Sequence, residues 1–393
     1  MKKKIAILGS TGSIGKNLIK IIEKNSSEFN LILLTTYKNY QEILRQANKL
    51  KVKNIIIIDN KSYQVAIRKN NNKKLKIFNS FNHFDKIFKS KIDYTMSAII
   101  GLDGLSPTLN IIKHTKIIAI ANKESIICGW NLLAKELKKY RTKFIPVDSE
   151  HFSIWFATND NIKNIDKIVL TASGGPFFKL PLNKFKNINI SDALKHPNWK
   201  MGKKISIDSA TMMNKVFEII EAKKIFNISY NNLSILIHPS SYVHALIKFS
   251  NGMIKIIAHE TDMKIPIFNT LYNDNTNKYN DNTNNINTNN IDIKKLNSLE
   301  LENINKNKYP SVKILKNLPE KNSLFETILV SANDEFVKLF LEKKIKFTDI
   351  SKKLISFLKI KEFTKYKTIS PKNINEIIKL NNYVRIKINS KGI

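Results

Sequence analysis

The stretch KIAILGSTGSIGKNLIKIIEK, residues 4–24, decides the fold of the first part of the chain. Its apolar run, residues 5–8, predicts a short buried strand, the glycine-rich segment predicts a turn, and the remainder predicts an amphipathic helix. We expect Gly9 to allow the tight turn, Gly12 to let the backbone approach a pyrophosphate, and Gly15 to let the helix pack close to the strand. An ordinary Gly/Ser turn is the alternative, but the flanks favour the first unit of a dinucleotide-binding fold.

Short apolar runs alternate with helical patterns over residues 1–147. Continuous apolar strands that alternate with helices indicate a parallel sheet covered on both faces, so we predict an α/β fold with an N-terminal Rossmann-type domain. In such sheets, ligands bind beyond the carboxyl ends of the strands. The runs are KIAIL (4–8), NLILLT (30–35), NIIII (54–58), YTMSAII (94–100), KIIAIA (116–121) and KFIPV (143–147).

The pattern changes after residue 147, where Gly, Pro and polar clusters separate the strand-like runs. This arrangement predicts a second, α+β domain over residues 148–272, with the catalytic and substrate-binding residues and a lid loop near 196–204. The strand-like runs are IVLTAS (168–173), LSILIH (233–238), YVHALIKF (242–249) and MIKIIAH (253–259).

The last part of the chain begins with a low-complexity segment, NDNTNKYNDNTNNINTNN at residues 273–290. Such a polar segment cannot build a core, so we predict an Asn-rich linker over residues 273–308. From Tyr309 onward the pattern is mostly helical, most clearly in LFETILVSANDEFVKLFLEKK. We therefore predict a small C-terminal helical domain over residues 309–393.

The chain is strongly basic, with 66 Lys and Arg residues against 32 Asp and Glu residues and a formal net charge of +34. The excess is nearly all Lys, is spread along the chain and is accompanied by Asn and Ile, so shared AT-rich codons explain it better than nucleic-acid binding does. We expect weak, salt-sensitive binding of polyanions and no specific nucleic acid partner. No apolar run is long enough to cross a bilayer, and the single cysteine, Cys128, favours a reducing compartment, so we expect a cytoplasmic protein with no membrane partner.

The end of the second predicted strand, TTYKN at residues 35–39, bears on the choice of dinucleotide. It has no carboxylate to hold the ribose hydroxyls of NAD(H). Lys38 supplies a cation where the 2′-phosphate of NADP(H) would lie, which favours NADP(H). This feature alone leaves open the alternative that Lys38 is one of the many lysines scattered along the chain.

A candidate metal site follows the sixth apolar run, in VDSEH at residues 147–151. On an extended backbone the carboxylates of Asp148 and Glu150 point the same way, and they repel each other unless a cation or proton lies between them. Two oxygen ligands at a strand end suit Mg²⁺ or Mn²⁺. A solvated turn is the alternative for the pair taken alone.

Two later segments add the residue types of a phosphate site. SGGPF, residues 173–177, is a serine followed by two glycines and suits an anion-binding loop. In HPNWKMGKKISIDSATMMNKVFE, residues 196–218, Asn214 and Glu218 form an i,i+4 pair on one helical face, and Glu218 is a candidate third carboxylate for the metal. Serine, asparagine, lysine and histidine together are a usual set around a phosphate, and Trp199 and Met201 are candidates for a lid.

These segments resemble one family, the 1-deoxy-D-xylulose 5-phosphate reductoisomerases. The resemblance covers nearly the full length, and it implies a homodimeric, three-domain enzyme with NADPH and a divalent cation, Mg²⁺, Mn²⁺ or Co²⁺, as cofactors. The family converts 1-deoxy-D-xylulose 5-phosphate (DXP) into 2-C-methyl-D-erythritol 4-phosphate in the non-mevalonate (MEP) isoprenoid pathway. The motifs, in the order of the family, are ILGSTGSIG, IANKES, PVDSEH, SGGPF, HPNWKMGKKISIDSATMMNK and FTDI.

The resemblance also implies roles for residues of this chain. The metal ligands would be Asp148, Glu150 and Glu218. The residues that contact the substrate oxygens near the metal would be Lys123, Ser149 and Lys215, with Lys123 stabilising enediolate charge. The phosphate ligands would be Ser173, His196, Ser209 and Asn214, and the lid residues Trp199 and Met201. The NADPH-facing residues would be Gly9, Ser10, Thr11, Gly12, Ser13, Ile14, Lys38, Asn39, Asn122, Glu124 and Gly202.

The chain departs from the family pattern at several positions. Tyr37 stands where a glycine is usual, and we expect it to crowd the adenosine end of the cofactor. Val216 also replaces a glycine, and SAND at residues 331–334 stands for an AAN-E-like run. Two other functions stay open: an NADP- and metal-dependent oxidoreductase for another phosphorylated ketone, and a polyanion-binding protein on a decayed enzyme scaffold.

Overall fold

A computed structural model of the chain describes residues 1–158, 164–199, 201–272 and 292–390. The chain forms two compact units. The first unit consists of residues Met1–Ser125, Leu132–Phe152 and Asp262–Ile291. The second unit consists of residues Ile126–Asn131, Ser153–Thr261 and Asp292–Ile393.

The sheet of the first unit is parallel throughout, as predicted. Its strands are β1 (Lys3–Leu8), β2 (Phe29–Thr36), β3 (Asn54–Ile57), β4 (Lys76–Phe78), β5 (Ile92–Ser97), β6 (Thr115–Ile120) and β7 (Lys143–Pro146). They lie in the order β4-β3-β2-β1-β5-β6-β7, and neighbouring strands pair parallel. The order of the strands reverses at β1, which lies between β2 and β5. The carboxyl end of β1 is therefore the topological switch point, where this class of fold binds its ligands.

The sheet of the second unit is mixed, which confirms the predicted α+β character. Its strands are β8 (Ile165–Ala172), β9 (Leu233–Ile237), β10 (Val243–Phe249), β11 (Ile254–Ala258) and β12 (Glu302–Asn303). They lie in the order β11-β10-β8-β9-β12. β8 and β9 are parallel, while β10 pairs antiparallel with both β8 and β11, and β12 pairs antiparallel with β9.

Helices flank both sheets. In chain order, the α-helices of the described residues are α1 (Ser13–Lys24), α2 (Tyr40–Lys49), α3 (Asn60–Lys69), α4 (Phe84–Ile87), α5 (Leu105–Ile111), α6 (Lys123–Tyr140), α7 (Ser149–Thr158), α8 (Ile190–Ala193), α9 (Lys203–Ala210), α10 (Met213–Phe226), α11 (Lys264–Tyr272), α12 (Ile293–Asn297), α13 (Phe325–Leu341), α14 (Phe347–Leu358), α15 (Lys361–Thr364) and α16 (Ile374–Ser390). None of them combines the length and the apolar character that a membrane-spanning helix needs.

The ten apolar runs named above all form strands, but the pattern did not predict β4 or β12. These two strands have three and two residues, which is too short for a period-2 pattern to be recognised. Of the predicted linker, residues 273–291 lie outside the described residues, and the remainder includes α12 and β12.

α11 belongs to the first unit, whereas the predicted boundaries place it with residues 148–272. The hydroxyls of Tyr94 on β5 and Thr270 on α11 lie 2.7 Å apart, and the rings of Phe29 and Tyr272 lie 5.8 Å apart edge to face. These tertiary partners are far apart in sequence, so a boundary drawn from composition could not include them.

The C-terminal helices confirm the predicted helical end of the chain. α13 packs on α14 and α16, and the rings of Phe336 and Phe357 meet edge to face at 6.1 Å. α13 is buried along nearly its whole length. A helix that is apolar nearly all round lies inside a bundle, and this is what its sequence, FETILVSANDEFVKLFL, indicates.

Candidate functional site

The glycine-rich turn after β1 has the geometry that the sequence predicts. Gly9 has φ +86°, and a Cβ there would lie 2.7 Å from the carbonyl oxygen of Ala98. A Cβ on Gly15 would collide with the backbone of Gly9 and lie 2.6 Å from the Cα of Ser10. A Cβ on Gly12 would have only the carbonyl oxygen of Gly9, at 3.5 Å, as a close neighbour. The first and third glycines are therefore needed for the fold, while Gly12 leaves the turn open to a ligand.

Two threonines at the end of β2 hold this turn in place. The N–H of Gly9 donates to Thr35 Oγ1 at 2.9 Å, and the N–H of Ser10 donates to the Thr35 carbonyl at 2.9 Å. The hydroxyls of Thr11 and Thr36 lie 2.7 Å apart. The sequence analysis missed these partners because it treated the end of β2 only as a strand without a carboxylate. The available signal was the pair of consecutive threonines at the end of β2, the strand that is expected to lie next to the glycine-rich turn.

The residues that follow β2 are exposed. Tyr37 is 65% exposed, and Lys38 and Asn39 are also on the surface. Asn39 caps α2, since its Oδ1 accepts from the N–H of Glu42 at 3.3 Å. Ser13, also exposed, is the first residue of α1, whose N-terminal N–H groups and partial positive charge suit a phosphate.

Asn122 and Glu124 follow β6 and are both buried. Asn122 Oδ1 accepts from the N–H of Ser125 at 2.6 Å and so caps α6. Its amide nitrogen donates to the carbonyl of Ile99 and, at 2.7 Å, to that of Gly101. Asn122 therefore joins the segments that follow β5 and β6, at the same carboxyl edge of the sheet as Gly9.

The first unit also holds the acidic pair. Lys123, which is 7% exposed, places its Nζ 2.8 Å from Asp148 Oδ2. Carboxylate oxygens of Asp148 and Glu150 lie within 4.8 Å of each other, and Ser149 Oγ donates to Glu150 Oε2 at 2.6 Å. Two carboxylates this close to each other need a cation to offset their repulsion, and their oxygens are the ligands that Mg²⁺ prefers. The observed pair therefore fits a divalent cation.

The local backbone around the pair differs from the expectation. β7 ends at Pro146 and α7 begins at Ser149, so Glu150 lies in a first helical turn and not on an extended strand. The proximity of the carboxylates thus comes from the strand-to-helix turn. His151 lies in the motif VDSEH, and the sequence did not predict a function for it. It is fully buried, and a ring nitrogen lies within 4.8 Å of an Asp148 carboxylate oxygen.

In the second unit, the loop after β8 has two consecutive glycines with positive φ, +82° at Gly174 and +66° at Gly175. A Cβ on Gly175 would lie 3.0 Å from the carbonyl oxygen of Ser209, so this loop packs closely against the end of α9. The hydroxyl of Tyr309 donates a hydrogen bond to the Gly174 carbonyl oxygen at 2.7 Å. The sequence analysis missed Tyr309, because nothing local connects it to a loop that is 135 residues away.

His196 is neutral, and its tautomer follows from its hydrogen bonds. Its Nδ1 accepts from the N–H groups of Asn198 at 3.2 Å and Trp199 at 3.0 Å, so its proton lies on Nε2. That nitrogen lies 3.1 Å from Ser173 Oγ, which also accepts from the N–H of Gly175 at 3.0 Å. Burial, and next the charge of Lys215, lower the pKa of His196 to about 4. Ser173 therefore has its hydroxyl proton left to donate to a ligand.

Lys215 and Glu218 form a buried ion pair in α10. Their Nζ and Oε2 atoms lie 2.5 Å apart, and the residues are 5% and 1% exposed. Asn214 donates to the other oxygen of Glu218, so the predicted i,i+4 pair is a hydrogen bond. α10 follows directly on Met212, whose φ of +64° makes a sharp turn after α9. This turn sets the direction in which Asn214 and Lys215 leave the backbone.

The predicted lid residues lie between His196 and α9. The Trp199 ring meets the ring of His244 edge to face at 6.2 Å, and His244 stacks on His259 at 3.7 Å. Met201 is partly buried, and Gly202 is exposed at the N-cap of α9. The two histidines are a further contact that the sequence analysis did not predict.

Sequence models of one family match the chain along its length. The model described as 1-deoxy-D-xylulose 5-phosphate reductoisomerase matches residues 5–129. The model of the 1-deoxy-D-xylulose 5-phosphate reductoisomerase C-terminal domain matches residues 144–226. A further model, described as the DXP reductoisomerase C-terminal domain, matches residues 259–387.

Full-length relatives carry the same name. The 1-deoxy-D-xylulose 5-phosphate reductoisomerase of Pelagibacter ubique (strain HTCC1062) is 58% identical over 100% of both chains. That of Wolbachia pipientis subsp. Culex pipiens (strain wPip) is 36% identical over 100% of this chain and 99% of its own.

Solved structures are similar over the whole chain. The 1-deoxy-D-xylulose 5-phosphate reductoisomerase from Zymomonas mobilis in complex with NADPH has a TM-score of 0.86 and 29% identity, and covers 100% of this chain and 99% of its own. A DOX-P reductoisomerase in complex with NADPH, fosmidomycin and magnesium has a TM-score of 0.88 and 29% identity, and covers 99% of this chain and 98% of its own.

Proposed function

The chain belongs to the 1-deoxy-D-xylulose 5-phosphate reductoisomerase family, and from this we propose which of its residues carry out the reaction of that family. The chain is an enzyme that rearranges and reduces DXP to 2-C-methyl-D-erythritol 4-phosphate in the MEP pathway, with NADPH and a divalent metal as cofactors. The observation that carries the assignment of roles is the buried Lys123–Asp148 ion pair with the Glu150 carboxylate beside it.

NADPH is held mainly by the first unit, and Gly202 is the proposed contact from the second. Gly12 and the N-terminus of α1, including Ser13 and Ile14, receive the pyrophosphate, because a helix N-terminus offers N–H groups to an anion and a Cβ at Gly12 would meet only the Gly9 carbonyl oxygen, at 3.5 Å. Lys38 is the cation for the 2′-phosphate, and its exposure leaves it able to reach that group. The other proposed cofactor contacts are Gly9, Ser10, Thr11, Asn39, Asn122, Glu124 and Gly202.

Asp148, Glu150 and Glu218 bind the divalent cation. Their carboxylate oxygens are hard ligands of the kind that Mg²⁺ and Mn²⁺ prefer. When bound, the metal polarises the substrate oxygens as a Lewis acid and NADPH supplies the reducing equivalents. Lys123, Ser149 and Lys215 contact the same substrate oxygens, and the ammonium of Lys123 stabilises the negative charge that develops during rearrangement.

The phosphate group of the substrate is held by donors of the second unit. Ser173 donates its hydroxyl proton because its oxygen already accepts from His196 and Gly175. His196, Ser209 and Asn214 complete the set. Trp199 and Met201 close over the bound substrate and exclude water from the aldehyde intermediate.

The protein works as a homodimer in the cytoplasm, and the open face of the second sheet is the surface that pairs two copies. Ile254 and Ile256 on the edge strand β11 are 58% and 49% exposed. Ile256 lies opposite Leu246, which lies opposite Val169, so one face carries an apolar row. Apolar rows of this kind mark interaction surfaces. Ile256→Glu is expected to give monomers in sedimentation, whereas Ile67→Glu on the surface of α3 leaves the dimer intact.

The test of the function is oxidation of NADPH in the presence of DXP, with and without Mg²⁺, followed by identification of the product. The wild type and Asp85→Asn, in which the altered carboxylate is 71% exposed, are expected to be active and to lose activity with a chelator. Asp148→Asn is expected to bind NADPH normally and to have lost turnover. No turnover by folded, metal-loaded wild type would contradict the proposal and favour the polyanion-binding alternative.

A further inference from the structure

The segment Ser331–Asp334, which departs from the family pattern, lies in α13 and carries a buried polar contact that the reaction described above does not use. Asn333 is fully buried, and its Nδ2 donates to Asp208 Oδ1 at 2.8 Å. Asp208 lies on α9 and is 1% exposed. A buried carboxylate is stable only when donors or cations surround it, so this contact ties α9 to α13.

A line of charged groups completes the surroundings of Asp208. Lys204 Nζ lies 2.9 Å from Asp208 Oδ2 and 3.2 Å from Asp334 Oδ1. On the far side of the line, Arg385 on α16 lies 3.0 Å from Asp334 Oδ2. One oxygen of Asp208 therefore faces a cation and the other faces a neutral amide. Asn333 donates a hydrogen bond to the Asp208 carboxylate without adding a charge.

α9 connects the lid to the phosphate site, so its position decides the geometry of both. Asp208 directly precedes Ser209, and a Cβ on Gly175 would touch the Ser209 carbonyl at 3.0 Å and the Ala210 Cα at 3.2 Å. The other end of α9 begins at Gly202, next to Met201. A shift of α9 would therefore move Ser209 against the Ser173 loop.

We propose that Asp208 and Asn333 are positioning residues that hold Ser209 and the loop 173–175 in the arrangement that binds the phosphate group of the substrate. The pair acts through Ser209 and touches no substrate itself. The proposal rests on the phosphate role given above to Ser173 and Ser209. It assigns to the Asn of the SAND segment a function in substrate affinity, not only in folding.

The test is Asn333→Asp, which keeps the shape of the side chain and places a second carboxylate against Asp208. At low pH the two carboxylates share a proton and keep the contact, while at higher pH they repel each other next to Lys204 and Asp334. We expect the KM for DXP to rise about tenfold between about pH 5 and pH 8 relative to wild type at the same pH. The KM for NADPH should change much less, because all of its proposed contacts except Gly202 lie in the first unit.

Arg385→Ala is the matched control from the far end of the same line of charges. It should lower the melting temperature and leave the KM for DXP as in wild type, since it does not contact Asp208. If Asn333→Asp does not fold, Asn333→Ser takes its place, because its hydroxyl is too short to reach Asp208, and the KM for DXP should rise severalfold at every pH.

Stabilisation by inorganic phosphate tests the positioning role of Asp208 and Asn333 independently of the turnover of DXP. Phosphate should raise the melting temperature of the wild type more than that of the Asn333 variants, whether or not the protein turns over DXP. A KM for DXP and a phosphate effect equal to wild type at every pH, in a folded Asn333 variant, would overturn the proposal. Absence of turnover in the wild type would overturn the function alone.

Discussion

The turn at residues 9–15 of the first unit and the loop at residues 173–175 of the second are both glycine-rich, but they are held in different ways. The first lies between a strand and a helix that follow each other in sequence, and Gly9 is bound by Thr35, 26 residues away. The second depends on Tyr309, 135 residues away from Gly174. The glycine pattern of the first turn can therefore be recognised within a few residues, whereas the second loop depends on a tertiary contact much farther along the chain.

The two sites also differ in charge. The acidic pair of the first unit, Asp148 and Glu150, suits a cation, and the buried Lys123 forms an ion pair with Asp148. In the loop of the second unit, burial and the nearby charge of Lys215 keep His196 uncharged at neutral pH, so neutral donors next to a cation suit an anion.

The largest effect on stability is expected from Gly15→Ala. Its Cβ would lie 2.6 Å from the Cα of Ser10, and neither backbone can move without displacing β1, so about 3 kcal/mol of unfolding free energy should be lost. Chemical denaturation measures this quantity. The control is Gly12→Ala, whose Cβ meets nothing closer than 3.5 Å and should cost under about 1 kcal/mol. Equal losses in the two variants would contradict the roles given to the two glycines.

Gly175→Ala should cost less stability and impair substrate binding. The left-handed backbone at φ +66° disfavours alanine by about 1–2 kcal/mol. The contact with the Ser209 carbonyl at 3.0 Å should also displace α9, so we expect the KM for DXP to rise much more than the KM for NADPH. Gly252→Ala, which has φ +86° and no neighbour within 4 Å, is the control for backbone strain alone. A normal KM for DXP in Gly175→Ala would count against the close packing of the loop on α9.

Tyr309→Phe should have a smaller effect, because it removes a single hydrogen bond. Loss of the donor to the Gly174 carbonyl should cost about 1 kcal/mol of unfolding free energy. The loop should then be less well held, and the KM for DXP should rise by a small factor. Tyr383→Phe, at a side chain that is 40% exposed, is the control. If both variants behave alike, distant contacts do not hold the loop.

A further effect, absent at neutral pH, is a pH dependence of stability from His196. Because its pKa is lowered to about 4 in the folded chain, the unfolded chain binds more protons between that pH and the ordinary histidine pKa. Stability should therefore decrease as the pH falls from about 6.5 towards 4. Denaturation of wild type and His196→Gln across this range should show a shallower decrease in the variant. Parallel pH profiles would mean that His196 titrates normally.

These two regions also explain how much could be predicted from the sequence. The parallel sheet, the glycine roles at Gly9 and Gly15, and the proximity of Asp148 to Glu150 follow from patterns within a few residues. The roles of Thr35, Tyr309 and Asn333 could not be predicted in this way, since each depends on a partner brought close by tertiary folding. The helical start of α7 was also missed, because the acidic motif gives no period to recognise.

The most direct test is a side-by-side steady-state measurement of Gly12→Ala and Ser173→Ala with both substrates varied. We predict that Gly12→Ala raises the KM for NADPH and leaves the KM for DXP unchanged, and that Ser173→Ala does the reverse. This result would establish that the first turn serves the cofactor and the second loop serves the substrate phosphate. If either variant raises both KM values, or leaves both KM values unchanged, the division of roles between the two loops is contradicted.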